Sequence, residues 1–159
     1  MKKILALLII LLSMSCSAQR GSFRNMVETN GKIGIGTRSP DEMLTVKGKI
    51  HTQEVLVDLN GAVAPDYVFD RYYDGMAFQK KDYQFKSLDE IENYIALHRH
   101  LPGVPSAKEI ETDGLSLKAM NLILLEKIEE LTLHTIEQQK QLDIMKEKIW
   151  KLENPAEKE

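Results

Sequence analysis

At the C-terminal end of the chain, Leu117, Asn121, Leu124, Ile128, Leu131, Thr135, Gln138, Leu142, Met145, Ile149 and Leu152 recur at alternating spacings of four and three residues. A stripe with that mean period drifts slowly around an α-helix and stays buried only when the helix winds against another carrying a matching stripe. The spacing therefore predicts a parallel coiled-coil helix over 115–153. The working unit is then an oligomer rather than a lone chain.

The residues in the stripe bear on the number of chains. Ile128, Leu142 and Ile149 fall at a positions and Leu124, Leu131 and Leu152 at d, a choice that in designed peptides leans towards parallel dimers. Asn121, Thr135 and Gln138 put polar groups into the stripe, where such groups fix register at a cost in stability. Leu122, Ile123, Leu125, Leu133 and Ile136 lie off it, and this wider apolar face is expected to pack the shorter helices that precede it. Pro155 and the charged tail over 154–159 end the pattern.

The opposite terminus reads as an export signal. Lys2 and Lys3 precede an uncharged run over 4–12 and then small residues through Ser15, Cys16, Ser17 and Ala18, the three-part layout of a secretory leader over 1–18. The run is shorter than the roughly 20 apolar residues that span a bilayer. Two cuts fit: one after Ala18 releases a chain starting at Gln19, and one before Cys16 leaves its thiol for lipidation. Ser13-Met14-Ser15-Cys16 resembles the bacterial lipoprotein motif, with Ser13 standing where leucine is usual. The expected destination is extracellular, cell-surface or periplasm-facing, with an outer-membrane anchor only if Cys16 is lipidated.

Cys16 is the single cysteine, which excludes an internal disulfide and any cysteine-based metal site. Losing Lys2 and Lys3 with the leader leaves 19 basic side chains against 24 acidic, a balance of about −5. That balance argues against a nucleic-acid partner, whose affinity comes from concentrated positive charge.

Between the two ends the character changes several times. Residues 19–31 are mostly polar and read as a flexible tether. Over 32–60, Lys32-Ile33-Gly34-Ile35-Gly36-Thr37, Leu44-Thr45-Val46-Lys47-Gly48-Lys49-Ile50 and Glu54-Val55-Leu56-Val57-Asp58 predict two or three short strands of a β stalk. Gly34, Gly36 and Gly48 inside them point to tight bends or the close approach of another backbone. Residues 61–114 form an irregular, aromatic-rich region with short helices. In it Ser87 to Glu90 and Ser106 to Glu109 are capping boxes, each opening a helix.

Candidate chemistry is sparse. His98 and His100 flank Arg99 near a helix C-terminus, where positive charge is favoured, so capping is expected rather than metal binding. Ser106 and Lys108 are close enough to suggest a nucleophile pair, but Ser106 is accounted for as a helix cap and a catalytic lysine requires burial. Gly34-x-Gly36 lacks the third glycine and the following helix of a phosphate loop. Asp66, Asp70 and Asp74 are spaced by four in the aromatic segment; a solvated face is expected over a calcium or sugar site. Trp150 lies off the stripe and reads as a flanking packing residue. No catalytic residue, metal ligand or cofactor is expected.

Lys32-Ile33-Gly34-Ile35-Gly36-Thr37-Arg38-Ser39-Pro40 followed by Leu44-Thr45-Val46-Lys47-Gly48 resembles a repeat of tail-fibre-like and adhesin-like surface proteins of Bacteroidetes and their phages. Ala64-Pro65-Asp66-Tyr67-Val68-Phe69, His100-Leu101-Pro102-Gly103-Val104-Pro105-Ser106-Ala107-Lys108-Glu109 and the stretch from Leu124 to Leu133 resemble their C-terminal region. The resemblance implies a stalk terminus, usually trimeric, laid out like the intramolecular chaperone that ends endosialidase-type tailspikes. Some of those chaperones cleave themselves with a serine and a lysine, but the Ser-Asp-x-x-Leu-Lys stretch that marks them is missing from this sequence. The expectation is a non-enzymatic, exported α+β protein with short N-terminal strands, a small helical region and a long C-terminal helix that assembles as a trimer. An autoprocessing chaperone and a glycan-binding adhesin are the alternatives, the latter adding a surface glycan or protein as partner.

Overall fold

The computed structural model describes Phe23 and residues 25–154. The expected leader, Cys16 and the tail from 155 onward lie outside the described residues. Within them the protein is mixed α+β, with a three-stranded sheet and four helices, the last of them long. No helix among the described residues is long and apolar enough to cross a membrane. The chain divides into two units, Met1–Val55 and Leu56–Glu159.

The first unit holds β1 (Met26–Thr29), β2 (Lys32–Ile35) and β3 (Leu44–Val46). β1 and β2 are antiparallel, with Met26 opposite Ile35, Val27 opposite Gly34, Glu28 opposite Ile33 and Thr29 opposite Lys32. β3 lies parallel to β2, pairing Ile33 with Leu44, Gly34 with Thr45 and Ile35 with Val46. The β1–β2 turn is Asn30-Gly31, both at positive φ (53° and 77°), the pairing that two-residue hairpin loops require.

Two expectations for 19–60 are corrected. The segment 19–31, expected as a tether, carries β1, because Asn30-Gly31 folds it back onto β2. Glu54-Val55-Leu56-Val57-Asp58, expected as a strand, has no regular structure; no neighbour offers it a hydrogen-bonding ladder, and Val55, Leu56 and Val57 stay exposed.

The glycine reading holds at two positions of three. A Cβ on Gly34 would lie 2.4 Å from the Thr37 carbonyl oxygen, and one on Gly36, at φ 73°, would lie 2.9 Å from the Lys47 carbonyl oxygen. The backbone that approaches is the chain's own. Around Gly48 there is open space.

The second unit contains α1 (Tyr67–Asp74), α2 (Leu88–His98), α3 (Ala107–Asp113) and α4 (Leu117–Glu153). α1 falls inside the region that the sequence marks only as irregular. It follows Pro65-Asp66 and ends on Gly75 in the left-handed conformation. Both capping boxes form as expected: Ser87 accepts from the Glu90 amide while Glu90 bonds the Ser87 amide, and Ser106 and Glu109 repeat the arrangement. Ser116 caps α4.

Among the described residues the buried hydrophobic ones are Tyr67, Val68, Ala77, Tyr83 and Leu133, with Phe69, Tyr72 and Phe85 packed against them. The Tyr67 and Tyr83 rings lie 5.0 Å apart, and Phe85 stacks on His134 at 4.6 Å. Of the seven aromatic residues between Tyr67 and Phe85, five therefore belong to this core or pack on it, with Tyr73 and Phe78 left outside. α2 and α3 contribute no buried residue.

Candidate assembly surface

The long helix α4 is used on one side by its own chain. On the heptad, Glu126 and Leu133 occupy f positions, opposite the a/d seam, flanked by Glu129 and Glu130 at b and c and by His134 at g; all five are buried. Leu133 is fully buried against the α1 core. Of the off-seam apolar residues, expected to pack the short helices before α4, Leu133 packs with Tyr67 and Val68 of α1, while α2 and α3 contribute no buried residue. Of that set Leu122 and Ile123 are partly covered, while Leu125 and Ile136 remain exposed.

The seam itself faces water in the single chain. Ile128 is 59% exposed and Leu131 64%, and Leu117, Leu124, Leu142, Met145, Ile149 and Leu152 are also exposed. Asn121, Thr135 and Gln138 share that exposure. The Thr135 hydroxyl donates to the Leu131 carbonyl at 2.8 Å. With that proton placed inside the helix, Thr135 can present its methyl group to the seam, and Asn121 and Gln138 are left as its polar positions.

Behind the seam a polar clamp ties α4 to the first part of the unit. The Tyr67 hydroxyl donates to Glu126 Oε2. Lys80 Nζ donates to that same oxygen at 3.0 Å and to the Tyr67 hydroxyl at 3.2 Å. Lys127 bridges Glu126 at 2.8 Å and Glu130 at 2.9 Å, and the Tyr83 hydroxyl donates to Glu130 at 2.9 Å. Lys80 also lies 4.9 Å from the centre of the Tyr67 ring.

The electrostatics follow from these contacts. Burial pushes the Glu126 carboxyl up, but hydrogen bonds from Lys127, Tyr67 and Lys80 outweigh it and bring the pKa down to about 2. Burial raises the Tyr67 and Tyr83 hydroxyls, and Glu126 and Glu130 beside them raise them further. Burial works against the charge on Lys80, yet its bonds to Glu126 and Tyr67 leave its pKa raised. Phenols held protonated and a carboxylate held ionised suit a structural lock; none is poised to exchange a proton near neutral pH. A cleft of about 230 Å³ lies beside Lys80, Tyr83, Glu126 and Glu130, whose polar groups are already engaged in the clamp.

Two orphans stand near the clamp. Glu129 Oε2 and His134 Nε2 are buried without a hydrogen-bond partner. Burial, with Asp66 and Glu126 adding repulsion, raises the Glu129 pKa.

The remaining sequence candidates do not converge. His98 and His100 sit around Tyr94 at the end of α2, their ring centres 6.0 Å apart. No group of three or more His, Cys, Asp or Glu among the described residues is placed to hold a metal ion. Asp66 precedes α1, and Asp70 and Asp74 follow one and two turns along it. The Ser106 hydroxyl is bound to Glu109 at 2.7 Å, and Trp150 is exposed.

Nothing in the sequence marks out Tyr67, Lys80, Tyr83, Glu126, Lys127 and Glu130 as a group. Glu126, Lys127 and Glu130 show only helical spacing, and their partners lie 46 to 59 residues away. Comparison with known protein families, curated proteins and solved structures yields no match.

Proposed function

We propose that the protein is a non-enzymatic, exported assembly element: a stalk terminus that joins copies of itself through a parallel coiled coil of α4. The observation that carries this reading is the division of α4 into two faces. Its f side is occupied by α1 of the same chain, while a continuous a/d seam is left in water. A stripe of that length and period is buried by equivalent helices. Three chains are favoured by the resemblance to tail-fibre-like termini. Export, with or without lipidation at Cys16, is supported by the leader pattern of residues 1–18.

The test is native mass spectrometry of the full chain and of a variant carrying Ile128→Asp with Leu131→Asp. The native chain is expected as a trimer. The variant is expected as a monomer that keeps its near-UV tyrosine circular dichroism, because both substitutions fall on the face α1 does not use. A variant assembled like the native chain would overturn the seam as the joining surface.

A further inference from the structure

The small sheet is inside out. Residues paired across neighbouring strands share a face, so the register puts Met26, Ile33, Ile35, Leu44 and Val46 on one side, with Glu28 at its corner. The other side carries Val27, Thr29, Lys32, Gly34 and Thr45. Ordinarily the apolar side of an antiparallel hairpin packs inward and the polar side meets water. Here the small and polar side is covered: Gly34 and Thr45 are buried. Thr45 Oγ1 donates to Asp41 at 2.6 Å and accepts from the amides of Asp41 and Glu42, and Thr37 closes over Gly34. The apolar side is the more open one, with Leu44 57% exposed, Met26 and Ile33 above a third, and Ile35 and Val46 half-buried.

No hydrophobic residue of this unit is buried among the described residues. A sheet this short, without an apolar layer against it, is not independently stable. Its open face is also too small to hold a free partner. Strand spacings of about 4.8 Å and rises of about 3.3 Å per residue give a footprint of roughly 200 Å², against about 800 Å² per partner in a stable complex. A surface of this size is buried by something already held nearby. A parallel seam supplies that, since tethered copies meet at effective concentrations that need little contact area.

We propose that the Met26, Ile33, Ile35, Leu44 and Val46 face docks against the same face of the other copies joined by α4. This rests on the assembly reading above and adds to it a second, dependent contact surface. The apolar side chains of equivalent sheets close on one another, and the turn-covered sides point away.

The test uses the full chain with Cys16→Ser and one new cysteine, either Leu44→Cys on the open face or Lys32→Cys on the covered one, treated with a short bis-maleimide. Chain-to-chain linkage is expected at Leu44→Cys and at least tenfold less at Lys32→Cys. Adding Ile128→Asp and Leu131→Asp should abolish the linkage and leave the Leu44→Cys thiol freely reactive with a mono-maleimide. An oligomer by native mass spectrometry without preferential linkage at Leu44→Cys would overturn the docking while the seam stands. A monomeric native chain would remove the assembly reading and the docking with it. A Leu44→Cys thiol protected in the seam-broken monomer would also overturn the proposal, by showing the face covered from within its own chain.

Discussion

Replacing Glu126 by glutamine removes the carboxylate that Tyr67, Lys80 and Lys127 all share, keeping its volume. The Glu126 carboxyl ordinarily releases its proton near 4.5 and in the fold near 2. At about 1.4 kcal/mol for each tenfold change in acidity, the difference corresponds to about 3 kcal/mol of stability at neutral pH. That agrees with the usual cost of roughly 3–5 kcal/mol for breaking a buried ion pair from one side. The folded state holds this proton less tightly than the unfolded chain. The contribution is therefore complete above the unfolded pKa and is lost as pH falls from about 4.5 towards 2. Urea unfolding would be followed from pH 7 to 2, comparing the chain that keeps Glu126 with the Glu126→Gln variant. Both would carry Ile128→Asp and Leu131→Asp so that association does not enter. The expected gap between the two is about 3 kcal/mol at pH 7, closing towards zero near pH 2. A gap that stayed constant across that range would place the loss in packing rather than in charge and overturn this account of the clamp.

Other expectations rest on single contacts. Leu133→Ala, at the fully buried centre of the α1–α4 core, should cost about 2–5 kcal/mol in urea unfolding of that unit. Gly36→Ala combines φ 73° with a Cβ 2.9 Å from the Lys47 carbonyl oxygen and should cost about 1–3 kcal/mol, seen as faster amide exchange across β2 and β3. Glu129→Gln should do the reverse. Burial, then Asp66 and Glu126, raise the Glu129 pKa, so its folded state binds the proton more tightly. Its charge weakens the fold at neutral pH, and protonation on acidification relieves that. The substitution should raise stability at pH 7 by up to about 1 kcal/mol in urea unfolding, a benefit that shrinks in acid.

What the sequence makes legible is what local spacing can encode. Ser87 with Glu90 and Ser106 with Glu109 declare helix starts because the cap and its reciprocal acid sit three residues apart. The seam from Leu117 to Leu152 declares a helix through its period. α1 is hidden because Tyr67-Val68-Phe69 and Tyr72-Tyr73 are weak helix formers, and the helix is held by burial of Tyr67 and Val68 against Leu133, far along the chain. β1 is hidden by its four-residue length, although Asn30-Gly31 is a strong hairpin signal beside it. The clamp is unreadable for the same reason as α1: Glu126 finds Lys80 and Tyr67 only once the chain has closed a long loop. Glu54 to Asp58 shows the converse, a good strand composition with no ladder to join.

Beyond Gln141 every side-chain hydrogen bond and ion pair found in α4 stays within the helix, as in Lys146 with Asp143 and Lys151 with Glu147. A terminal stretch of that length, without a neighbour along its flank, is marginally helical in water. Its backbone amides are thus a gauge of company: they should exchange with solvent within the lifetime of a fraying end when the chain is alone, and slowly once equivalent helices close around them. Dilution would then be read residue by residue, from Leu152 inward, as the separation of chains.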